Sequence, residues 1–267
     1  MTTKNSSVRG EDVGREVRRA ASAIEQRVGK APGASRSAQD EREKQALVQY
    51  TQELGKIHPS CFLDGLPKTN EPSTEHDVFF RRSDQRVVKV TKLGLYGFIV
   101  VGLDGERIHA TPVEYFQRMA LYNRVFDDDV RFEGVILVGK KKYPCIVTSQ
   151  PFVVARSMML PYPMDEDIAE YMQRLRFTKN VRAEVAWKRE SDGVECFDCK
   201  PANYIMTKKG AVPIDIIIRQ TGVELPIPAP VWARKMMKWS RAQPLPPLKD
   251  VLEQFRASPE PYKSKGN

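Results

Sequence analysis

Cysteine is scarce in this sequence. The 267 residues hold four, Cys61, Cys145, Cys196 and Cys199, too few for the disulfide framework that staples small secreted domains. Cys196 and Cys199 form a C-x-x-C. A structural zinc site needs two further ligands, and neither a second C-x-x-C nor an H-x-x-x-H occurs among His58, His76 and His109. A redox or metal role for the pair stays open as the lesser reading, because Asp198, between the two thiols, belongs to a more specific pattern. Long apolar runs are also missing. None approaches the ~20 residues that a membrane-spanning helix needs, and the polar N-terminus lacks the apolar stretch of a signal peptide. The expectation is a cytoplasmic protein with no membrane partner. No self-similarity recurs at the periods of solenoid repeats.

What is present suits a globular chain: 41% hydrophobic residues over a length that can bury one sizeable core or two modest lobes. Lysine and arginine number 43 against 34 acids, a formal charge of +9. Such a field favours anionic partners, whether nucleic acid, a phosphate-rich ligand or a membrane surface; a nucleic-acid partner rests on this charge alone. Residues 1–45 carry scarcely any large apolar side chains, which predicts a disordered or weakly helical arm. Within it, Val13, Val17, Ala20, Ala21, Ile24 and Val28 fall at helical intervals, so a marginal amphipathic helix that a partner would stabilise stays open.

The pattern predicts a helix over Glu43 to Leu54, then loop through His58-Pro59 and Gly65-Leu66-Pro67. Val78-Phe79-Phe80 and Arg86 to Val90 read as a hairpin turning at Arg82 to Gln85, and Phe98 to Leu103 as a further strand. Thr111-Pro112-Val113-Glu114 has the hydroxyl, proline and acid of a helix start. Tyr115, Met119, Tyr122 and Phe126 then space out one buried face. Strands follow over Arg131 to Val138 and Tyr143 to Thr148, and a helix over Asp165 to Leu175. A short hairpin is expected from Asn203 to Met206 and Ala211 to Ile214, and helices over Val231 to Ser240 and Leu248 to Phe255. Trp187, Trp232 and Trp239 read as core residues.

The residues that carry chemistry are concentrated in Phe197-Asp198-Cys199-Lys200-Pro201-Ala202-Asn203-Tyr204-Ile205. This loop supplies a carboxylate, an ammonium and an amide, and the following hairpin returns the chain to Ile214-Asp215, bringing a second carboxylate beside Asn203. Phosphoryl transfer needs such a set: oxygens to hold Mg²⁺, a cation for the phosphates and a carboxylate beside the attacking hydroxyl. Asp, Pro and Asn also favour turns for local reasons, which is the plainer reading of each residue alone.

Asp-x-Lys-Pro-x-Asn, followed by strand, turn, strand and Asp, resembles the catalytic loop and metal-binding aspartate of the protein kinase-like superfamily. The order upstream is similar: a strand with Lys89, a helix with Glu114, two strands and the hinge-like Gln150-Pro151-Phe152. More narrowly, the chain resembles the polyvalent protein kinase domain of bacterial and phage mobile-element proteins over about residues 55 to 220. The matching stretches are Glu75-His76-Asp77-Val78, Val88-Lys89-Val90-Thr91, Glu114-Tyr115, Asn123-Arg124-Val125-Phe126, Thr148-Ser149-Gln150-Pro151 and Pro213-Ile214-Asp215.

The resemblance implies an α+β, two-lobed protein kinase-like fold with a reduced C-terminal lobe. Residues 46–150 would form an N-lobe of sheet plus one helix, 151–257 a reduced C-lobe with the catalytic loop, and 258–267 a flexible tail. It implies ATP and Mg²⁺ as cofactors. Lys89 would contact the α- and β-phosphates, oriented by Glu114. Asp198 would position the substrate hydroxyl, Lys200 would offset phosphoryl charge, and Asn203 and Asp215 would hold the metal. Val87 and Ile205 would sandwich the adenine, and the backbone at Gln150 and Phe152 would read its edge. A surface lysine and a helix-capping acid are the plainer readings of Lys89 and Glu114.

Departures from the pattern narrow the function. No G-x-G-x-x-G precedes Lys89, Cys196-Phe197 replaces the usual His-Arg, and no Ala-Pro-Glu follows Asp215. A low nucleotide affinity and an absent or rebuilt peptide platform are expected. The candidate functions are a kinase-like phosphotransferase acting on a protein hydroxyl or a small molecule, a pseudokinase interaction module, and a nucleotidyl transferase on the same fold.

Overall fold

Alternating apolar residues in Arg86–Thr91 place Val88 and Val90 on one side of a strand and Val87 and Lys89 on the other. This strand, β3, is an interior strand of a five-stranded sheet in the computed structural model of the chain, which describes residues 14–29, 33–69, 73–102 and 104–221. The sheet runs β1 (Ile57–His58), β6 (Arg131–Val138), β7 (Tyr143–Pro151), β3 and β2 (His76–Arg81). β1 pairs parallel to β6, and all other pairs are antiparallel. Val88, Val90, Ile136, Cys145 and Val147 form the apolar layer on one face, closed by Phe62, Leu63, Leu66 and Phe79. A short pair, β4 (Phe98–Val100) and β5 (Arg107–His109), follows the β2–β3 hairpin. The fold of the described residues is mixed α+β.

Three helices accompany this sheet: α1 (Arg15–Val28), α2 (Arg36–Glu53) and α3 (Pro112–Phe126). The Thr111 hydroxyl accepts from the Glu114 backbone N–H, and the Glu114 carboxylate accepts from the Thr111 N–H, completing a capping box. The helix ends where Asp127 turns left-handed. The expectation of a disordered or weakly helical arm over residues 1–45 needs correction within the described part. Val17, Ala20, Ala21 and Ile24 of α1 are fully buried or nearly so, because α1 packs on α3 and α2. The stabilising partner of this amphipathic stretch is the chain's own helix pair. Two alanines on the buried stripe let the backbones approach, and Gly14, in a left-handed conformation, abuts Asn123 so closely that a Cβ would lie 2.9 Å from its Nδ2.

The remaining described chain builds a second sheet, ordered β13 (Ile217–Gln220), β10 (Val194–Phe197), β9 (Trp187–Arg189), β8 (Thr178–Lys179). It also builds a hairpin of β11 (Tyr204–Thr207) and β12 (Gly210–Pro213) and a helix α4 (Asp165–Arg174). Their core gathers Ile168, Met172, Phe177, Trp187, Tyr204 and Ile218 with Tyr122 and Val125 of α3. Trp187 is buried as expected; Trp232, Trp239, the two C-terminal helices and the tail expected from the sequence lie outside the described residues. Among the described residues no helix is long and apolar enough to cross a membrane.

The packing of α1 gives a direct test. Ile24→Ala is expected to lower stability by about 2–4 kcal/mol in urea unfolding, the cost of a cavity in a closed core. A change under about 0.5 kcal/mol, the size seen for solvated positions, would return α1 to the status of an arm.

Candidate active site

β10 delivers the chain to Asp198, and β13 takes it away after Asp215. The two strands pair antiparallel, with Phe197 opposite Ile217, so the residues that follow one and precede the other are brought together. Between them, a single turn of 3₁₀ helix over Pro201–Asn203 leads into the β11–β12 hairpin. Asn203 is the hub of this arrangement. Its Nδ2 donates to the Asp198 carbonyl at 2.7 Å, and its carbonyl accepts from the Ile214 N–H at 2.8 Å. These bonds bring the backbones of Asp198, Asn203 and Ile214-Asp215 next to one another. Asp198 itself has φ 58°, a left-handed conformation that aspartate tolerates better than most side chains. Its Oδ1 lies 3.2 Å from Lys200 Nζ and 3.4 Å from Arg107 Nη2 of β5.

Lys89 reaches the same place from β3. Its ammonium donates to the Ile214 carbonyl at 2.9 Å and stands 3.8 Å from Asp215 Oδ1. The Asp215 side chain is 43% exposed.

Glu114 does not join Lys89. Oε2 accepts from Arg36 Nη2 at 2.6 Å and from the Thr111 N–H at 2.8 Å, and Oε1 accepts from Arg36 Nη1 at 2.9 Å. It serves as a cap and as an anchor for α2, the plainer of its two readings. The hinge also departs from expectation: the Phe152 N–H donates to the Gln85 carbonyl at 2.9 Å, and the Phe152 ring packs on Phe80. That N–H is consequently not free to read a purine edge. Gln150 is buried opposite Val87 in the β3–β7 ladder, and Ile205 lies opposite Val212 in the β11–β12 hairpin.

The structure adds residues to which sequence reasoning gave no role. Glu75, His76 and Arg118 are buried beside Lys89 and Asp215, and a ligand atom of Glu75, of His76 and of Asp215 lie within 4.8 Å of one another. His76 Nε2 is 3.2 Å from the Tyr115 hydroxyl, which is 3.1 Å from Thr148 Oγ1. Burial pushes the Glu75 carboxyl up, but the Arg118 guanidinium at 2.6 Å outweighs it and holds the group below the usual carboxylate range. A signal for Arg118 was present: it falls on the Tyr115, Met119, Tyr122 stripe, where an otherwise apolar face carries a cation. Cys196 and Cys199 are buried thiols with pKa values pushed upward, chiefly by burial. That environment suits core residues better than reactive ones.

Hard oxygen donors fit the proposed magnesium site. With Nδ2 of Asn203 committed to Asp198, its Oδ1 is the amide atom left for a cation, and Asp215 contributes an exposed carboxylate.

His76 generates a pH prediction. Burial, reinforced by Lys89, brings its pKa down to about 4, below the unfolded value of about 6.5. The unfolded chain therefore takes the proton first, and stability falls as pH drops from about 6.5 towards 4. Between pH 7 and pH 5 the loss from this one ring is about 2 kcal/mol. Urea unfolding of His76→Gln is expected to show a pH dependence weaker by that amount. Glu43 and Asp128, pushed up by burial, act in the opposite sense and are common to both proteins. An unchanged pH dependence would contradict a buried neutral ring. Compared with protein-family models, curated proteins and solved structures, the chain finds no match in any of the three.

Proposed function

We propose that the chain is an atypical ATP- and Mg²⁺-dependent phosphotransferase with a two-lobed, protein kinase-like fold and a reduced C-terminal lobe. The observation that supports this reading is the Asn203 hub, whose bonds to the Asp198 carbonyl and from the Ile214 N–H hold the Asp198 loop against Ile214-Asp215, where Lys89 arrives from another sheet. The element order supports it as well. A hairpin with Lys89, helix α3, the β6–β7 pair, the Asp198 loop, the β11–β12 hairpin and Asp215 follow one another as in the superfamily that the sequence resembles.

In this reading Lys89 binds the non-transferred phosphates, and Asp198 orients the attacking hydroxyl and accepts its proton. Lys200, half-exposed beside Asp198, offsets charge on the moving phosphoryl group. Asn203 and Asp215 would hold Mg²⁺, which neutralises phosphate charge when bound. The acceptor is a protein hydroxyl or a small molecule. The turn between β2 and β3, Arg82-Ser83-Asp84-Gln85, has no glycine, and its base is tied by an Arg81–Asp84 ion pair at 2.8 Å. It does not supply the backbone N–H groups that a glycine-rich loop offers to phosphates.

A pseudokinase that binds nucleotide weakly or not at all is the second reading, and specific observations favour it. The cavity bounded by Lys89, Gln150, Ile214 and Asp215 measures only about 10 Å³, room for about one water. The Phe152 N–H is already occupied. Phosphoryl transfer then requires the two sheets to part around Lys89.

ATP labelled at the α- or the γ-phosphate separates these readings. Wild-type protein with Mg²⁺ is expected to transfer γ-label, and Asp215→Ala to lose about 100-fold or more of that rate. Transfer of α-label would mean nucleotidyl transfer. No transfer and no thermal shift with Mg-ATP would overturn the enzyme reading.

A further inference from the structure

Lys89 sits among more charged groups than this function uses. Glu75, just before β2, is 7% exposed. Its Oε2 accepts from Arg118 Nη2 at 2.6 Å, while Arg118 Nη1 donates to the Phe98 carbonyl at 2.7 Å. The pair is tightly enclosed. Gly97, at φ +73°, passes over it so closely that a Cβ would lie 2.4 Å from Glu75 Oε2 and 2.9 Å from Arg118 Nη2. Glycine meets both the steric and the conformational demand of that position. Arg118 Nε is buried without a hydrogen-bond partner, and Arg118 is one of the residues that line the cavity shared by Lys89 and Asp215. A buried donor left unpaired is costly, and an oxygen atom entering this cavity would relieve it.

Helix α3 therefore presents a cation, Arg118, one turn beyond Glu114, and the buried acid within 4.8 Å of Asp215, the partner of Lys89, is Glu75. We infer that Glu75, gripped by Arg118, is the positioning residue that sets Lys89 and Asp215 for the phosphates of a nucleotide, the task that the resemblance gives to Glu114. This rests on the nucleotide reading. In the present arrangement Lys89 shares the Asp215 carboxylate. When that carboxylate turns to a metal ion, Lys89 needs a second anion nearby, and Glu75 supplies it. Without the Glu75 charge, Lys89 and Arg118 would repel each other across a low-dielectric space.

Mg-ATP affinity, measured by calorimetry on the full chain, tests the inference. Glu75→Gln is expected to weaken binding at least tenfold, Glu75→Asp to recover most of that loss, and Glu114→Gln to stay within twofold of wild type. A purely structural Glu75 would act independently of the Lys89 charge, so the Lys89→Met background, which removes that charge, decides its role. There, Glu75→Gln is expected to add less than twofold. Wild-type affinity in Glu75→Gln, or an undiminished tenfold loss beside Lys89→Met, would overturn the inference while leaving the nucleotide reading intact. Failure of the wild type itself to bind Mg-ATP would overturn both.

Discussion

The ammonium of Lys89 is the interaction on which the candidate site depends. It extends from an interior strand of the first sheet to the Ile214 carbonyl, 125 residues further along the chain, and to the neighbouring Asp215 carboxylate. A lysine at this depth is tolerable only with its charge answered. Around it, two cations, Lys89 and Arg118, face two carboxylates, Glu75 and Asp215, in a cluster that is neutral as it stands. An anionic ligand with its own metal ion would replace one balanced set of charges by another. That is a physical reason for a site to stay closed without ligand and open with it.

The rigidity of the other half comes from Asn203. One amide and one carbonyl tie the start of the loop to its end, which holds Asp198 in a left-handed backbone conformation that would otherwise relax. The flanking β10–β13 pairing fixes the separation of the loop's two ends. Asp198 is then paired loosely with Lys200 and Arg107, cations that lie in the outer, more exposed part of the site.

Much of this was legible in the sequence, for reasons that particular residues make plain. The β2–β3 hairpin, α3 and the β6–β7 pair carry long periodic patterns and strong start signals such as Thr111-Pro112. The Asp198, Asn203 and Asp215 grouping is local enough that one hairpin dictates it. Glu114 stays open in the sequence between a helix cap and a partner of Lys89, because a cap and a catalytic acid look alike there. Only the position of Arg36, far upstream, decides between them. Glu75 and Arg118 escaped because their partnership crosses from a loop to a helix through the space that Gly97 leaves open. β8 and β9, two and three residues long, are too short to show any periodicity. The burial of α1 depended on a face of α3 that no local pattern in residues 15–28 reveals.

The central claim is that β3 and the 198–215 loop form one ligand site. Hydrogen–deuterium exchange of the full chain, with and without a non-hydrolysable Mg-ATP analogue, tests it most directly. The account predicts that slowed exchange appears together in residues 86–91 and 198–216. Protection of one segment without the other, or of neither at saturating analogue, would contradict it.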